Sequence, residues 1–134
     1  MAKVETNSID TKCVQGGWQP ENGGPRQVPI YQNTTWRYSS SDAMGALFDL
    51  EAAGYFYTRL ANPTCDSVAQ KICELEGGVA AVLTSSGQAA NFFAIFNIAS
   101  AGDHVVSTAS IYGGTLNLFM VTMKKMGIEF TLVD

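Results

Sequence analysis

Between Val79 and Val133 the apolar residues fall in short unbroken runs, separated by longer runs with helical spacing. "VAAVLT", "HVVSTA" and "IEFTLV" read as strands buried on both faces. "GQAANFFAIFNIAS" and "GTLNLFMVTMKKMG" lie between them and are long enough for helices, the second stopped by Gly127. Strand, helix, strand, helix, strand is the order of a parallel sheet covered by helices and joined by right-handed crossovers. The pattern therefore predicts an α/β fold. Three such strands leave a sheet edge and some apolar helix surface without partners, so the expected parallel sheet is incomplete.

The residues upstream follow other periods. "CDSVAQKICELEGG" predicts a helix with Val68, Ile72 and Leu75 on one face, Asp66 in the first turn and Gly77-Gly78 closing it. Pro63 should hold Asn62 extended just before it. "SSSDAMGALFDLEAAG" predicts a second helix, capped by Ser41 or Asp42, with Met44, Leu47 and Phe48 on one face and Gly54 after its end. The first forty residues show no sustained period, and "QGGWQPENGGPRQVPIYQNTTW" carries three of the four prolines. It should be extended and rich in turns. Its Trp18, Ile30, Tyr31 and Trp36 are too apolar for a solvated tail, so this arm is expected to lie on its own domain or on a neighbouring copy. Residues 1–60 thus read as an arm with a short helix, and 61–134 as the beginning of the sheet domain.

Composition narrows the function classes. Of 134 residues 46% are hydrophobic and 15% charged, which argues against disorder. A net charge of -4 gives no basic field for a nucleic-acid backbone, although a few aimed donors could still hold one phosphate. No apolar run approaches the roughly 20 residues that span a bilayer, and "MAKVETNSIDTK" lacks a secretory apolar stretch. Cys13, Cys65 and Cys73 are odd in number and form no CxxC pair, so they are expected as free thiols in a reducing cytoplasm, the last two buried and inert. The single His104 makes a zinc site unexpected.

Candidate chemistry gathers at Ser85-Ser86-Gly87, where the first predicted strand gives way to a helix. Ligands of parallel sheets bind beyond the carboxyl ends of strands. The first N–H groups of a helix lack partners within it and carry the positive end of its dipole. Gly87 permits close approach, and two serines add hydroxyls: an anion cradle, most naturally for a phosphate. An ordinary serine cap followed by glycine gives the same spacing. GxGxxG, GxxxxGK[ST] and GxSxG are all missing, which disfavours a dinucleotide, a nucleoside triphosphate and a serine nucleophile.

"YTRLANPT", "LEGG", "TSSGQAA", "AGDHVV", "IYGGT" and "GIEFTLVD" follow one another as in a single family. From about Thr11 to Asp134 the sequence resembles the Cys/Met-metabolism enzymes that use pyridoxal phosphate: cystathionine synthases and lyases, methionine gamma-lyase and O-acetylhomoserine sulfhydrylase. The resemblance implies the start of the large domain of an aspartate-aminotransferase-like, fold-type I enzyme. It implies that Gly87 and Gln88 give main-chain N–H groups to the cofactor phosphate, that Ser86 borders the same cradle, and that Tyr112 stacks on the pyridine ring. Without it, Tyr112 reads rather as a core or rim tyrosine. Tyr57 and Arg59 are implied as phosphate ligands reaching into the adjacent subunit, within a homo-oligomer that is a dimer of dimers. A surface ion pair is the plain alternative for Arg59.

The stretches "PRQVPIYQNTTW" and "LFDLEAAGYFYTRLANPT" are most similar to the sulfhydrylase branch of the family. Gly114 stands where methionine gamma-lyases usually carry a cysteine. The implied reaction is gamma-replacement, in which acetate leaves a homoserine ester and sulfide adds to give homocysteine. Tyr112 would assist proton movement near the leaving group. The resemblance also implies a Schiff-base lysine after a serine or threonine, and none of Lys3, Lys12, Lys71, Lys124 and Lys125 stands in such a setting. The chain is expected to be incomplete and, in isolation, inactive, a fragment that associates with other chains.

Overall fold

A computed structural model describes residues 8–134. The chain forms two compact units that divide between Leu83 and Thr84.

Among the described residues the first unit contains three helices, α1 (Ile9–Gln15), α2 (Ser41–Phe48) and α3 (Pro63–Glu76). The α3 helix forms for the expected reasons. Asn62 is extended (φ -148°, ψ 131°) ahead of Pro63, its side chain accepts the Thr64 N–H, and Gly77 ends the helix in the left-handed region at φ 67°. Its buried face, however, is not the apolar one. Ser67 and Cys73 are buried while Val68 and Ile72 are about half exposed. Small residues face inward because the chain passes close by: Gly17, at φ 78°, sits where a Cβ would run into the Ser67 carbonyl oxygen. Cys65, in the first turn of α3, is exposed, contrary to the expected burial.

Two further departures concern helix limits. The α1 helix was not expected; Ile9 and Val14 are exposed, so no apolar stripe marks it. Side-chain bonds to α3 hold it instead: Lys12 Nζ donates to the Glu74 carbonyl at 3.3 Å, and Lys71 Nζ donates to the Cys13 carbonyl at 3.2 Å. The α2 helix is capped by Ser40, whose hydroxyl accepts the Ala43 N–H at 3.1 Å, one residue before the predicted caps. It stops at Phe48 rather than near Gly54, because the chain turns through Leu50 at φ 59°. Leu47 is buried and Phe48 is exposed, packing its ring on Phe56 at 4.5 Å.

Between α1 and α2 the arm consists of turns, irregular backbone and one isolated bridge, and it is stitched by hydrogen bonds to residues 57–64. Asn62 Nδ2 donates to the Tyr31 carbonyl at 3.0 Å, Thr64 Oγ1 donates to the Pro29 carbonyl at 2.9 Å, and the Tyr31 N–H donates back to Thr64 Oγ1 at 2.9 Å. Tyr55 lies under Trp36, ring centroids 5.7 Å apart. Burial raises its phenol above the usual 10.0, and the Asp66 carboxylate adds to this by hydrogen bonding and charge. The folded state therefore prefers the neutral phenol. That preference contributes its full stability below the ordinary tyrosine value and loses it as pH rises through the folded value. Urea midpoints should fall as pH rises beyond about 10, and Tyr55→Phe, with no proton to lose, should fall less over the same interval.

The predicted strand at Val79–Thr84 does not form. The segment carries no regular secondary structure, its backbone from Val79 to Leu83 makes no hydrogen bond among the described residues, and Val79 and Val82 are exposed. An apolar run signals burial, whereas a strand exists only where a neighbour supplies its ladder. The sheet consequently has two strands rather than three.

The second unit runs α4 (Gly87–Phe96), β1 (His104–Thr108), α5 (Gly113–Asn117), a π-helical turn (Leu118–Met123) and β2 (Glu129–Val133). The strands pair in parallel, His104 opposite Glu129 through Thr108 opposite Val133. Helical structure connects them, as parallel pairing requires. Met123 and Ile128 are fully buried, and Ala99, Leu118 and Phe119 join them in one core. Phe119 stacks on Phe130 of β2 at 4.7 Å. Only one face of the sheet is covered, since burial alternates along both strands and Val106 and Val133 are exposed. No helix among the described residues is long and apolar enough to cross a membrane.

Candidate functional site

The first turn of α4 is built by the Ser86 cap. Its hydroxyl accepts the Ala89 N–H at 3.1 Å and its carbonyl accepts the Ala90 N–H at 3.0 Å. Thr84 Oγ1 also donates to the Ser86 carbonyl, at 2.8 Å. These bonds leave the N–H groups of Gly87 and Gln88 without an acceptor among the described residues. A Cβ placed on Gly87 would meet no heavy atom within 4 Å beyond its own helix, so nothing crowds the side-chain position of Gly87. The serine thus serves as an ordinary cap, and in doing so leaves two adjacent donors aimed outward at the positive end of the helix. The cap and cradle readings of the sequence describe the same turn.

Tyr112 lies four residues after the end of β1 and directly ahead of α5. Its ring is exposed, 78% of its surface reaching solvent. Gln88 Nε2 donates to the Gly114 carbonyl at 2.9 Å, which ties the first turn of α4 to the turn that carries Tyr112. One turn further on, Asn91 Nδ2 donates to the buried Thr115 Oγ1 at 2.8 Å. The structure therefore ties the turn of Ser86, Gly87 and Gln88 to the turn that carries Tyr112. Sequence reasoning had assigned only the main chain of Gln88 and passed over both side-chain ties. The spacing of "GQAAN" puts Gln88 and Asn91 three apart on one helix face, a signal that was available.

Tyr57 and Arg59 belong to the first unit. The Arg59 guanidinium lies 5.2 Å from the centroid of the Tyr57 ring, a cation–π distance. They are presented by a hydrogen-bonded platform. Between them, the Thr58 N–H donates to the Thr34 carbonyl at 2.9 Å, and the Thr58 hydroxyl donates to the Asn33 carbonyl at 2.5 Å and accepts from Asn62 Nδ2 at 3.2 Å. Thr35 and Tyr57 form an isolated antiparallel bridge. Both residues also line an apolar cavity of about 390 Å³ with Trp36, Met44, Phe48 and Phe56. Arg59 makes no ion pair among the described residues, so its charge is available to a ligand. Asn62, buried to 3% exposure, was foreseen only as the residue held extended by Pro63.

The family model for the Cys/Met metabolism PLP-dependent enzymes matches residues 10–134. A Kluyveromyces lactis protein named homocysteine/cysteine synthase is 48% identical over 110 residues, 82% of this chain and 25% of that protein. An O-acetyl-L-homoserine sulfhydrylase from Corynebacterium glutamicum is 46% identical over 140 residues, covering 100% of this chain and 32% of that protein. A solved Campylobacter jejuni structure that contains N′-pyridoxyl-lysine-5′-monophosphate superposes with a TM-score of 0.87 at 38% identity, covering 96% of this chain and 32% of that one. The chain thus spans a quarter to a third of the length of these relatives.

Proposed function

The chain belongs to the Cys/Met metabolism PLP-dependent enzyme family, and from that premise we propose that it supplies the cofactor-phosphate cradle of an O-acetylhomoserine sulfhydrylase. The observation that carries this reading is the pair of outward N–H groups at Gly87 and Gln88, left free by the Ser86 cap and tied through Gln88 to the turn of Tyr112. The residues fit pyridoxal 5′-phosphate. Two main-chain donors, a helix dipole and an uncrowded Gly87 suit the phosphate, and an exposed ring on the turn tied to them suits the pyridine.

Bound there, the cofactor would supply an electron sink for the carbon skeleton of an amino acid. The protein's own groups have simpler tasks. Gly87 and Gln88 hold the phosphate by N–H donation, and the Ser86 hydroxyl borders it while fixing the helix start. Arg59 balances one of its two negative charges with a forked, permanent cation, and the Tyr57 hydroxyl adds a donor. In the reading proposed here, Tyr57 and Arg59 serve the cradle of an adjacent copy, within a homotetramer built as a dimer of dimers. Tyr112 orients the pyridine by stacking, and its hydroxyl moves a proton near the departing acetate. The three free cysteines accord with a cytoplasmic setting.

The net reaction is O-acetylhomoserine plus hydrosulfide to homocysteine plus acetate. Assayed with O-acetylhomoserine and sulfide, the assembled enzyme should release acetate and homocysteine in equal amounts. Turnover of methionine without turnover of O-acetylhomoserine would assign it to the lyase branch instead.

A further inference from the structure

We propose that Thr58 is the positioning residue of the Tyr57–Arg59 pair, its hydroxyl locking the turn that presents both side chains to the cofactor phosphate. The inference rests on the reading of that pair as phosphate ligands. Arg59 is exposed, and its guanidinium leans on the Tyr57 ring. Where it can reach is therefore decided by the backbone beneath it. Residues 58–60 form a turn in which the Tyr57 carbonyl accepts the N–H groups of Leu60 at 2.9 Å and Ala61 at 3.2 Å. Within this turn, the Thr58 side chain is fastened to the arm and to the cap of α3 at once.

The bonds of that hydroxyl have a fixed direction. Asn62 Oδ1 accepts the Thr64 N–H, which turns Nδ2 toward Thr58 and the Tyr31 carbonyl. The Thr58 oxygen must then accept from Asn62, and its one proton is left for the Asn33 carbonyl, 2.5 Å away. An apolar side chain can do neither. The Thr58 N–H adds a bond to the Thr34 carbonyl at 2.9 Å, and Asn33 Nδ2 donates to the Thr35 carbonyl at 2.9 Å. A threonine serving only its own turn would bond to backbone within about four residues. Thr58 instead reaches a carbonyl 25 residues earlier in the chain and the buried Asn62 amide. These bonds stiffen the backbone on which Tyr57 and Arg59 stand, so less ordering remains to be done when a phosphate binds.

The test is Thr58→Val in the assembled enzyme, with Thr58→Ser beside it and Ser40→Ala as a control for stability. Valine keeps the branched shape and loses the hydroxyl, whereas serine keeps the hydroxyl. Ser40→Ala removes the α2 cap from the same unit and leaves the turn alone. The parent should prefer pyridoxal 5′-phosphate to pyridoxal, which brings no phosphate to Arg59. Thr58→Val should lose about tenfold of that preference, through weaker binding of the phosphorylated form alone. Amide exchange at Leu60 and Ala61 should quicken by about the same factor, beyond any change within α3. Thr58→Ser should restore both, and Ser40→Ala, though less stable, should keep the preference. If the valine protein does not fold, Asn62→Ser, which keeps the cap and releases Thr58 from it, should show the same loss in smaller measure. Unchanged preference and exchange in Thr58→Val, equal losses for both ligands, or a loss that serine does not restore overturns the proposal. If Arg59→Ala leaves the parent's preference intact, the phosphate reading of Arg59 fails instead, and exchange at Leu60 and Ala61 still decides whether Thr58 holds the turn.

Discussion

Replacing Asn62 by alanine should destabilise the first unit by about 2–4 kcal/mol, the largest loss expected from any single polar side chain in it. Two independent roles sum to that figure. As the cap of α3, Asn62 accepts the Thr64 N–H at 2.9 Å, and losing such a cap costs about 1 kcal/mol. As a buried donor, it satisfies the Tyr31 carbonyl and the Thr58 hydroxyl, and partners left unmet in a part-buried setting cost about 1–3 kcal/mol. Asn62→Ser separates the two, since a serine hydroxyl still caps but cannot reach across to the arm. It should recover about 1 kcal/mol of the loss. Urea melts of the three proteins decide the division. If serine restores the full stability, the bonds to the arm contribute nothing and Asn62 is a cap alone. The consequence reaches the site, because Thr58 stands between Tyr57 and Arg59 and takes its orientation from Asn33, Thr34 and Asn62.

What the sequence disclosed and what it hid divide along a physical line. Punctuation set by one or two residues was legible: Pro63 holding Asn62 extended, Gly77 in the left-handed region, Gly127 at φ 84° after the last helical turn. So was the parallel pairing of "HVVSTA" with "IEFTLV", whose apolar runs do find each other. Features that depend on a second segment were not legible. Val79–Thr84 has the composition of a strand and no ladder, because pairing is a property of two chains of backbone rather than of one. The α1 helix rests on Lys12 and Lys71 bonds across 62 and 58 residues of sequence, a distance no local period reports. The apolar stripe of α3 misled for the same reason, since the close approach of Gly17 selects small residues for the buried face. At the candidate site, Ser86 and Gly87 could be read from helix-start chemistry, whereas Gln88 entered only through the family resemblance. The setting of Tyr112 could not be read, because it depends on the Gln88 and Asn91 ties.

The sharpest separation of fold from function is expected at Gly87. Gly87→Asp places a carboxylate at the first position of α4, beside the free N–H groups and the positive end of the helix. For the folded chain this is favourable, by about 0.3–1 kcal/mol, and no neighbour within 4 Å opposes the new side chain. For a bound phosphate it is prohibitive. The carboxylate takes the donors and repels two negative charges at close range, where each charge pair is worth about 4 kcal/mol before salt screening. Pyridoxal 5′-phosphate retention should fall at least about hundredfold while the thermal midpoint holds or rises. A midpoint that drops would mean that the turn was built for packing. A midpoint that holds together with undiminished retention would place the phosphate elsewhere. Arg59→Ala should weaken retention too, by loss of the cation rather than by repulsion. If Arg59 serves a neighbouring copy, mixed oligomers of the two variants contain some sites in which an intact cradle meets an intact Arg59. Activity should then return on mixing two inactive proteins, whereas ligands drawn from one copy alone would leave every mixed site defective.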